Sequence, residues 1–257
     1  MVDTHCHLDL DPLLSRLPEV LESARRAGVT RFVVPGVHPG GWERMALLAS
    51  SRNGVFPAFG IHPMHADKAD DASLSRLAAI APSAVAIGEI GLDPNYAVSM
   101  ELQERAFREQ LRLAVSLGLP VLVHCRRAFL RTRQILVEEK AARTGGIMHA
   151  FSGSVEMAWE FIRLGFLISI SGTVTRTNAI RPVGLARELP LESLVLETDA
   201  PDMTPQRFRG EPNQPAYLTE VLRCVALIRG LRPEDVARQT TRNAASLLSI
   251  RGACRRC

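Results

Sequence analysis

The sequence predicts an α/β fold, a TIM-type (β/α)8 barrel that forms a single domain over residues 1–257. Eight short apolar runs, most of them rich in β-branched residues, alternate with segments of helical periodicity. Such runs are typical of parallel strands that helices cover, and about 250 residues is the usual length of a barrel. A doubly wound open sheet usually carries a glycine-rich phosphate fingerprint after its first strand, and this chain has none.

The predicted strands are residues 2–6, 30–34, 55–59, 84–87, 120–123, 146–148, 166–170 and 194–196. The clearest helical pattern covers residues 102–117, and it places six side chains on one buried face: Leu102, Ala106, Phe107, Leu111, Ala114 and Val115. Residues 201–215 are rich in proline and polar residues, which indicates a long functional loop. Residues 217–229 and 233–248 are predicted to form two closing helices.

Composition narrows the class of protein. A net charge of +4 and a pI near 9.0 are compatible with a phosphate-bearing substrate but fall short of a dedicated nucleic-acid-binding surface. The first residues lack a basic segment followed by an apolar run, and no apolar run approaches the length of a membrane span. Together with five scattered cysteines, an odd number, this predicts a soluble cytoplasmic protein with reduced thiols. The C-x-x-C pair Cys254 and Cys257 has no second pair beside it, and we expect a mobile tail there.

Ionisable side chains collect where the predicted strands end. Six of them close or follow five different strands: His5, His7, Glu89, His124, His149 and Asp199. The C-terminal strand ends of a (β/α)8 barrel meet at one face, where catalytic groups collect. His5 and His7 are two residues apart in an extended segment, so their side chains face the same side. We therefore predict a metal centre built from these six side chains.

The ligand types narrow the choice of metal. Four histidines and two carboxylates suit zinc, manganese, iron, nickel or cobalt, whereas a magnesium site made of oxygen ligands would not need so many imidazoles. Asp199 follows an apolar strand, where burial is unfavourable unless the carboxylate meets a cation or strong donors. Glu89 follows Gly88 and can bridge two cations, and Glu197 is expected to support Asp199 from the same side of the strand. We expect two divalent cations per subunit, with zinc, manganese, magnesium, nickel and cobalt all open.

Six short motifs resemble, in order, those of the TatD family of metal-dependent deoxyribonucleases, within the amidohydrolase-like barrels. The resemblance covers nearly the whole chain, and its motifs are residues 3–9 (DTHCHLD), 60–63 (GIHP), 88–93 (GEIGLD), 124–126 (HCR), 149–153 (HAFSG) and 197–201 (ETDAP). Two positions depart from the commonest pattern. Pro94 replaces an aromatic residue that often follows Gly-Leu-Asp, and Cys125 takes a place often filled by serine.

The resemblance implies roles for the six predicted ligands. His5, His7, Glu89 and Asp199 would hold one ion, and Glu89 would bridge it to a second ion held by His124 and His149. Two such ions can activate a shared water as a hydroxide and polarise the bond under attack, with Asp199 as the candidate general base. Candidate phosphate or substrate contacts are His62, His65, Arg126 and Asn213. In the loop after strand eight, Arg207, Phe208 and Arg209 are further candidates for contact with a nucleic-acid strand.

Three functions stay open. The resemblance implies a 3′-to-5′ exonuclease acting on DNA, whereas the residues themselves support only metal-dependent hydrolysis. The same centre could instead cleave an ester or amide bond, including a lactone, in a small molecule or an aminoacyl-tRNA. A wide, basic mouth would favour nucleic acid, and a narrow apolar pocket would favour a small substrate. The third candidate is a non-catalytic, metal-stabilised binding module, for which a missing ligand would be expected; we expect no membrane and no obligate protein partner.

Overall fold

The computed structural model describes residues 1–250 and contains one sheet of eight parallel strands in chain order. The strands are β1 (Val2–Asp3), β2 (Arg31–Pro35), β3 (Val55–Phe59), β4 (Ala86–Leu92), β5 (Val121–Cys125), β6 (Gly146–Met148), β7 (Phe166–Ile170) and β8 (Leu194–Leu196). Each pairs with the next in parallel, which confirms the predicted barrel class. Cys254 and Cys257 lie outside the described residues.

Helices follow the strands around the outside of the sheet. They are α1 (Leu17–Arg26), α2 (Trp42–Ser51), α3 (Asp71–Ile80), α4 (Met100–Leu117), α5 (Phe129–Glu138), α6 (Val155–Arg163), α7 (Ile180–Glu188), α8 (Leu218–Arg229) and α9 (Pro233–Leu247). Ser99 and Ser154 cap α4 and α6 by accepting backbone N–H groups of the first turn. Gly118 and Gly230 end α4 and α8 in the left-handed conformation that glycine adopts without strain. Within residues 1–250, no helix combines the length and apolar character needed to cross a bilayer.

The first and last strands meet through loop backbone and one carboxyl group. The Thr4 N–H donates to the Leu196 carbonyl at 3.2 Å, and the Asp199 N–H donates to the His5 carbonyl at 2.9 Å. Asp3 accepts the Thr198 N–H at 2.9 Å and the Thr198 hydroxyl at 2.6 Å. These contacts bring the segment after β1 beside the segment after β8.

The interior of the barrel is apolar at its N-terminal end. Seven of the eight strands contribute one buried side chain to this layer: Val2, Val33, Ala58, Ala86, Leu122, Ile147 and Val195. Ala244, Leu248 and Ile250 pack against them from α9 and the residues after it. A second, larger apolar layer lies between the strands and the surrounding helices. The buried ionisable side chains therefore collect at the opposite, C-terminal end of the barrel.

Strand β4 extends further than the sequence predicts. The prediction ended this strand at residue 87, before two glycines, but β4 runs to Leu92 and includes Glu89. The glycines mark close contact with β5, since a Cβ on Gly88 would lie 2.6 Å from the Leu122 Cβ and one on Gly91 would lie 1.9 Å from the His124 carbonyl oxygen. The pairing with β5 is irregular between Ile87 and Ile90. Glu89 thus lies within a strand rather than after one.

Candidate metal centre

The first part of the site joins the segments after β1 and β8 to β4. The His5 Nε2 atom lies 3.1 Å from Glu89 Oε2 and 3.7 Å from Asp199 Oδ1. The His7 Nε2 atom also lies 3.7 Å from Asp199 Oδ1. His5, His7 and Asp199 thereby form one group of ligand atoms close enough together to hold a single metal ion.

The second part of the site lies on the other side of Glu89. Its Oε1 atom is 2.8 Å from His124 Nδ1 and 3.7 Å from His149 Nε2, whereas its Oε2 atom faces His5. His149 Nε2 is also 3.6 Å from Asp199 Oδ1. The structure therefore brings all six predicted side chains together, and the two oxygens of Glu89 face different histidines.

Two further carboxylates contact His124 and His149 at the ring nitrogens that face away from Glu89. Asp93 Oδ2 lies 3.2 Å from His124 Nε2, and Glu197 Oε2 lies 3.1 Å from His149 Nδ1. His124 can donate its Nε2–H to Asp93, which leaves the lone pair of its Nδ1 directed at the site. Glu197 faces His149 Nδ1 as a nearby opposite charge, without hydrogen-bond geometry. Carboxylate partners of this kind are typical of metal-binding histidines, because they fix the tautomer and the ring orientation. The donor set therefore fits divalent metal ions.

His62 enters the same group from the segment after β3. Its Nδ1 atom accepts the Met64 N–H at 3.2 Å, so the neutral ring carries its proton on Nε2. That Nε2 atom lies 3.3 Å from His124 Nδ1 and 3.6 Å from Glu89 Oε1. His62 is therefore placed to donate a hydrogen bond into the site.

Burial and opposite charges set the protonation of the site. Burial disfavours an ionised Glu89, yet His5, His149 and His62 hold the pKa of this carboxyl well below its usual value. Burial likewise opposes ionisation of Asp199, and the neighbouring histidines still lower its pKa. In His149 the effect of burial is outweighed by Glu197, Asp199 and Glu89, which raise its pKa to about 10. Both central carboxyl groups are thus favoured in the ionised form, the form that binds cations.

Three adjoining cavities open on this face of the barrel, and all three have Asp202 in their walls. The metal-site cavity, about 240 Å³, is lined by His7, His62, Glu89, His124, His149 and Asp199 among others. A neighbouring cavity of about 540 Å³, here called the side cavity, contains Arg126, Phe151 and Thr173 in its wall. A third cavity of about 730 Å³, the outer cavity, is lined by Arg176, Asn178 and Arg209. Because all three share Asp202, the cavities lie side by side on this face, and they are here called the groove.

The remaining predicted contacts divide into two groups. Arg126 is exposed in the wall of the side cavity, and Arg209 lies in the wall of the outer cavity. Asn213 is fully buried and donates its amide N–H groups to the Thr198 and Asp202 carbonyls at 2.8 and 2.7 Å, so it holds the long loop together. His65 packs edge-on against His38, with ring centroids 4.9 Å apart, and does not line these three cavities.

Two other loop residues that the sequence suggested are engaged with their neighbours. The Phe208 ring stacks on Tyr217 with centroids 3.7 Å apart. Arg207 lies over the Phe208 ring and pairs with Glu220 at 3.4 Å. Neither side chain lines the metal-site cavity.

Sequence reasoning missed the roles of Asp93 and Tyr96. Asp93 belongs to the motif at residues 88–93, but its pairing with His124 joins the residue directly after β4 to β5. Tyr96 lines both the metal-site cavity and the side cavity, and its ring centroid lies 5.4 Å from that of His62. It follows Pro94 by two residues, so an aromatic ring is present at the site although Pro94 itself is not aromatic. Cys125 has Sγ 3.2 Å from Thr132 Oγ1, and burial raises its pKa to about 12, which makes it an inert thiol.

The backbone around the site has unusual conformations. Four non-glycine residues after β5, β6 and β8 have positive φ angles: Arg127 (55°), Ala150 (41°), Asp199 (58°) and Met203 (51°). Such conformations are uncommon for residues with a Cβ and cost about 1 kcal/mol or more each. Their concentration on one face of the barrel is typical of a functional site.

An eight-stranded parallel barrel with histidines and carboxylates at its C-terminal face defines the class of metal-dependent hydrolase barrels. The family model described as TatD related DNase matches residues 2–249. The chain belongs to the TatD family of metal-dependent hydrolases.

Individual relatives match the chain over nearly its full length. It is 36% identical over 253 residues to the uncharacterized metal-dependent hydrolase YabD of Bacillus subtilis, covering 97% of this chain and 99% of YabD. It is 34% identical to the mouse protein named "Putative deoxyribonuclease TATDN3", covering 96% of this chain and 87% of that protein. The crystal structure of YjjV, a TatD homolog from Escherichia coli, superposes with a TM-score of 0.93 at 34% identity, covering 98% of each chain.

Proposed function

We propose that this protein is a deoxyribonuclease that hydrolyses phosphodiester bonds of single-stranded DNA from the 3′ end, using two divalent ions held by His5, His7, Glu89, His124, His149 and Asp199. The observation that supports nucleic acid over a small substrate is the groove. The metal-site cavity has cavities of about 540 and 730 Å³ beside it and shares wall residues with both. A strand of several nucleotides needs binding space on both sides of the scissile phosphate, which these neighbouring cavities supply.

Arginines in the walls of the groove can bind phosphate groups. Arg126, Arg176 and Arg209 are exposed there, and within residues 1–250 none of the three forms an ion pair. Two acidic residues, Asp202 and Glu211, also line the outer cavity and balance the charge of Arg176 and Arg209, so the wall offers individual guanidinium groups without a net positive charge. Guanidinium groups bind phosphates with paired hydrogen bonds, which supports a polyanionic ligand.

The chain's own residues account for the remaining parts of the reaction. Bound divalent ions would supply water of lowered pKa and polarise the phosphodiester. Asp199, which is ionised and close to three imidazoles, would accept the proton of the attacking water. His62 would donate its Nε2–H, and Arg126 its guanidinium N–H groups, to the non-bridging phosphate oxygens, where negative charge grows during the attack. The oxygen of the preceding nucleotide then leaves, and a mononucleotide is released.

The test follows a 5′-labelled single-stranded oligonucleotide incubated with protein reconstituted with manganese, magnesium or zinc. The wild type should shorten the strand stepwise and release mononucleotides. Glu89→Gln and Asp199→Asn keep the shape of each side chain but remove a charged ligand, so activity should fall at least about a hundredfold. Glu188→Gln, an exposed position on α7, is the matched control and should keep wild-type activity.

Either of two results would overturn the nuclease proposal. One is a wild type that is inactive on DNA with all three metals, after which aryl esters and aminoacyl esters become the substrates to test. The other is undiminished activity in both folded variants, which would place the reaction elsewhere. Circular dichroism on each variant shows that a loss of activity is not a loss of fold.

A further inference from the structure

The side cavity adjoins the metal site directly. The two cavities share five wall residues: Tyr96, His124, His149, Asp199 and Asp202. A phosphate at the metal site would therefore have its next covalently attached group either in the side cavity or toward the outer cavity. At about 540 Å³ the side cavity is within the range of pockets that bind small organic ligands.

The walls of the side cavity differ from those of the outer cavity. Tyr96, Phe151, Pro182 and Met203 give the side cavity an apolar surface, to which Arg126 and Thr173 add hydrogen-bonding groups. The lining of the outer cavity contains no aromatic ring. A flat apolar group with polar edges matches the side cavity, whereas the outer cavity suits a solvated phosphate backbone.

Besides the imidazoles of His124 and His149, two aromatic rings line the side cavity, and they differ in how much of their surface is exposed. Phe151 is only 4% exposed, and its ring packs edge-on against Phe129 and Phe161. Tyr96 is partly exposed and lies at the junction of the side cavity with the metal-site cavity. Of the two rings, Tyr96 is therefore the one with surface available to a ligand.

The loop that carries Tyr96 is held in place. The buried side chain of Gln103 accepts the Asp93 N–H at 2.8 Å and donates to the Asp93 and Val98 carbonyls at 3.0 and 2.8 Å. The Tyr96 N–H donates to the Asp93 carbonyl at 3.3 Å. A ring on a loop fixed at both ends loses little freedom on binding, which favours it as a stacking surface.

We propose that the side cavity binds the 3′-terminal nucleoside of the substrate and that its base packs against the ring of Tyr96. This inference rests on the proposed phosphodiesterase activity and adds to it the position of the nucleoside that leaves with the phosphate. Stacking is tolerant of sequence because every base has an aromatic face. The terminal base should therefore be bound whatever its identity.

The experiment compares two chromogenic phosphodiesters that share one leaving group. In thymidine 5′-(p-nitrophenyl) phosphate the retained group is a nucleoside, and in methyl p-nitrophenyl phosphate it is a methyl group. In both reactions the oxygen of water bonds to phosphorus, the bond to p-nitrophenolate breaks, and the phosphate monoester remains. With manganese-loaded wild-type protein, kcat/KM should be higher for the thymidine ester, mainly through a lower KM.

The variants distinguish the contribution of the Tyr96 ring from that of its hydroxyl group. Tyr96→Ala should lower kcat/KM for the thymidine ester about 10- to 100-fold more than kcat/KM for the methyl ester. Tyr96→Phe keeps the ring and should retain most of the wild-type activity. Tyr217→Ala, which removes the chain's only other tyrosine, is the matched control. It should leave kcat/KM for both esters unchanged, because Tyr217 lies outside both cavities.

The results distinguish this inference from the proposed function. Equal kcat/KM values for the two esters, together with no effect of Tyr96→Ala, would overturn the nucleoside site while leaving a phosphodiesterase. A Tyr96→Phe variant as impaired as Tyr96→Ala would overturn stacking, since the hydroxyl group would then carry the effect. Hydrolysis of neither ester by the metal-loaded wild type would overturn the phosphodiesterase proposal itself.

Discussion

At the scale of single residues, the metal centre depends on side chains that contact its histidines from behind. Glu197 is fully buried, and its two oxygens have separate partners. Oε1 accepts the Ala150 N–H at 2.7 Å, and Oε2 lies 3.1 Å from His149 Nδ1. One carboxylate thereby fixes both the backbone after β6 and the orientation of a metal-binding imidazole.

We expect Glu197→Gln to weaken metal binding about 10- to 100-fold. The glutamine can still accept the Ala150 N–H, but it removes the buried negative charge 3.1 Å from His149 Nδ1, so the imidazole loses its charged partner. Competition titration of the metal-free protein with manganese or zinc measures the change. Glu192→Gln, exposed in the turn before β8, serves as the control. Unchanged affinity in a folded Glu197→Gln protein would show that the ring is held by other contacts.

At the scale of secondary structure, helix α4 positions two loops of the active face through buried glutamines. The sequence pattern assigned Leu102 and Val115 to the buried face of this helix, but both are only partly buried, and Gln103 and Gln110 are fully buried instead. The two glutamines lie seven residues apart, or about two helical turns, and so share a face. Gln103 fixes the loop after β4, and Gln110 fixes the loop after β3. The sequence pattern missed the burial of Gln103 and Gln110 because a hydropathy scale treats an amide side chain as solvent-facing.

Replacing Gln110 with leucine should lower the free energy of unfolding by about 1 to 3 kcal/mol. Its Oε1 accepts the Ile61 N–H at 2.7 Å, and its Nε2 donates to the Ile61 and Ala106 carbonyls at 3.2 and 3.0 Å. A leucine of similar size leaves the buried Ile61 groups without partners. Urea unfolding measures the difference, and Gln134→Leu on the exposed side of α5 should change stability by less than about 0.5 kcal/mol. Equal stabilities of the two variants would contradict the role assigned to Gln110.

At the scale of the whole molecule, the barrel closes where its two ends meet, and this closure also builds the metal site. Asp3 and Thr198 form the polar contact between the first and eighth strands, with the hydroxyl 2.6 Å from Asp3 Oδ2. Just beyond them, His5, two residues after Asp3, and Asp199, one residue after Thr198, are joined by a backbone hydrogen bond of 2.9 Å and carry two of the predicted ligand side chains. Stability and site geometry therefore depend on the same contact between residues about 195 positions apart.

Thr198→Val tests this closure. Valine has nearly the shape of threonine but no hydroxyl group, so Asp3 Oδ1 keeps the Thr198 and His5 backbone N–H donors while the buried Oδ2 loses its donor. The free energy of unfolding should fall by about 1 to 3 kcal/mol, measured by urea unfolding. Thr30→Val, at an exposed position before β2, is the matched control. If the two variants unfolded at the same urea concentration, the Asp3–Thr198 contact would not be what holds the ends of the barrel together.

The barrel class and most of the strand positions could be predicted from the sequence alone, and so could the group of histidines and carboxylates that gathers at one end of the barrel. Apolar runs with a regular alternation are local features, and strand ends of a parallel barrel meet at one face by geometry. His5, His7, Glu89, His124, His149 and Asp199 could therefore be assigned to one place before any contact was known.

The side chains that support and border the candidate metal centre could be identified only from the folded structure. The pairing of Asp93 with His124, the burial of Gln103 and Gln110, and the placement of Tyr96 between two cavities all depend on contacts that no local pattern encodes. The same is true of Asn213, whose amide groups are used inside its own loop. Hydropathy and spacing indicate which side of each segment faces the protein core. The roles of these residues depend instead on strand register and on loop packing between distant parts of the chain.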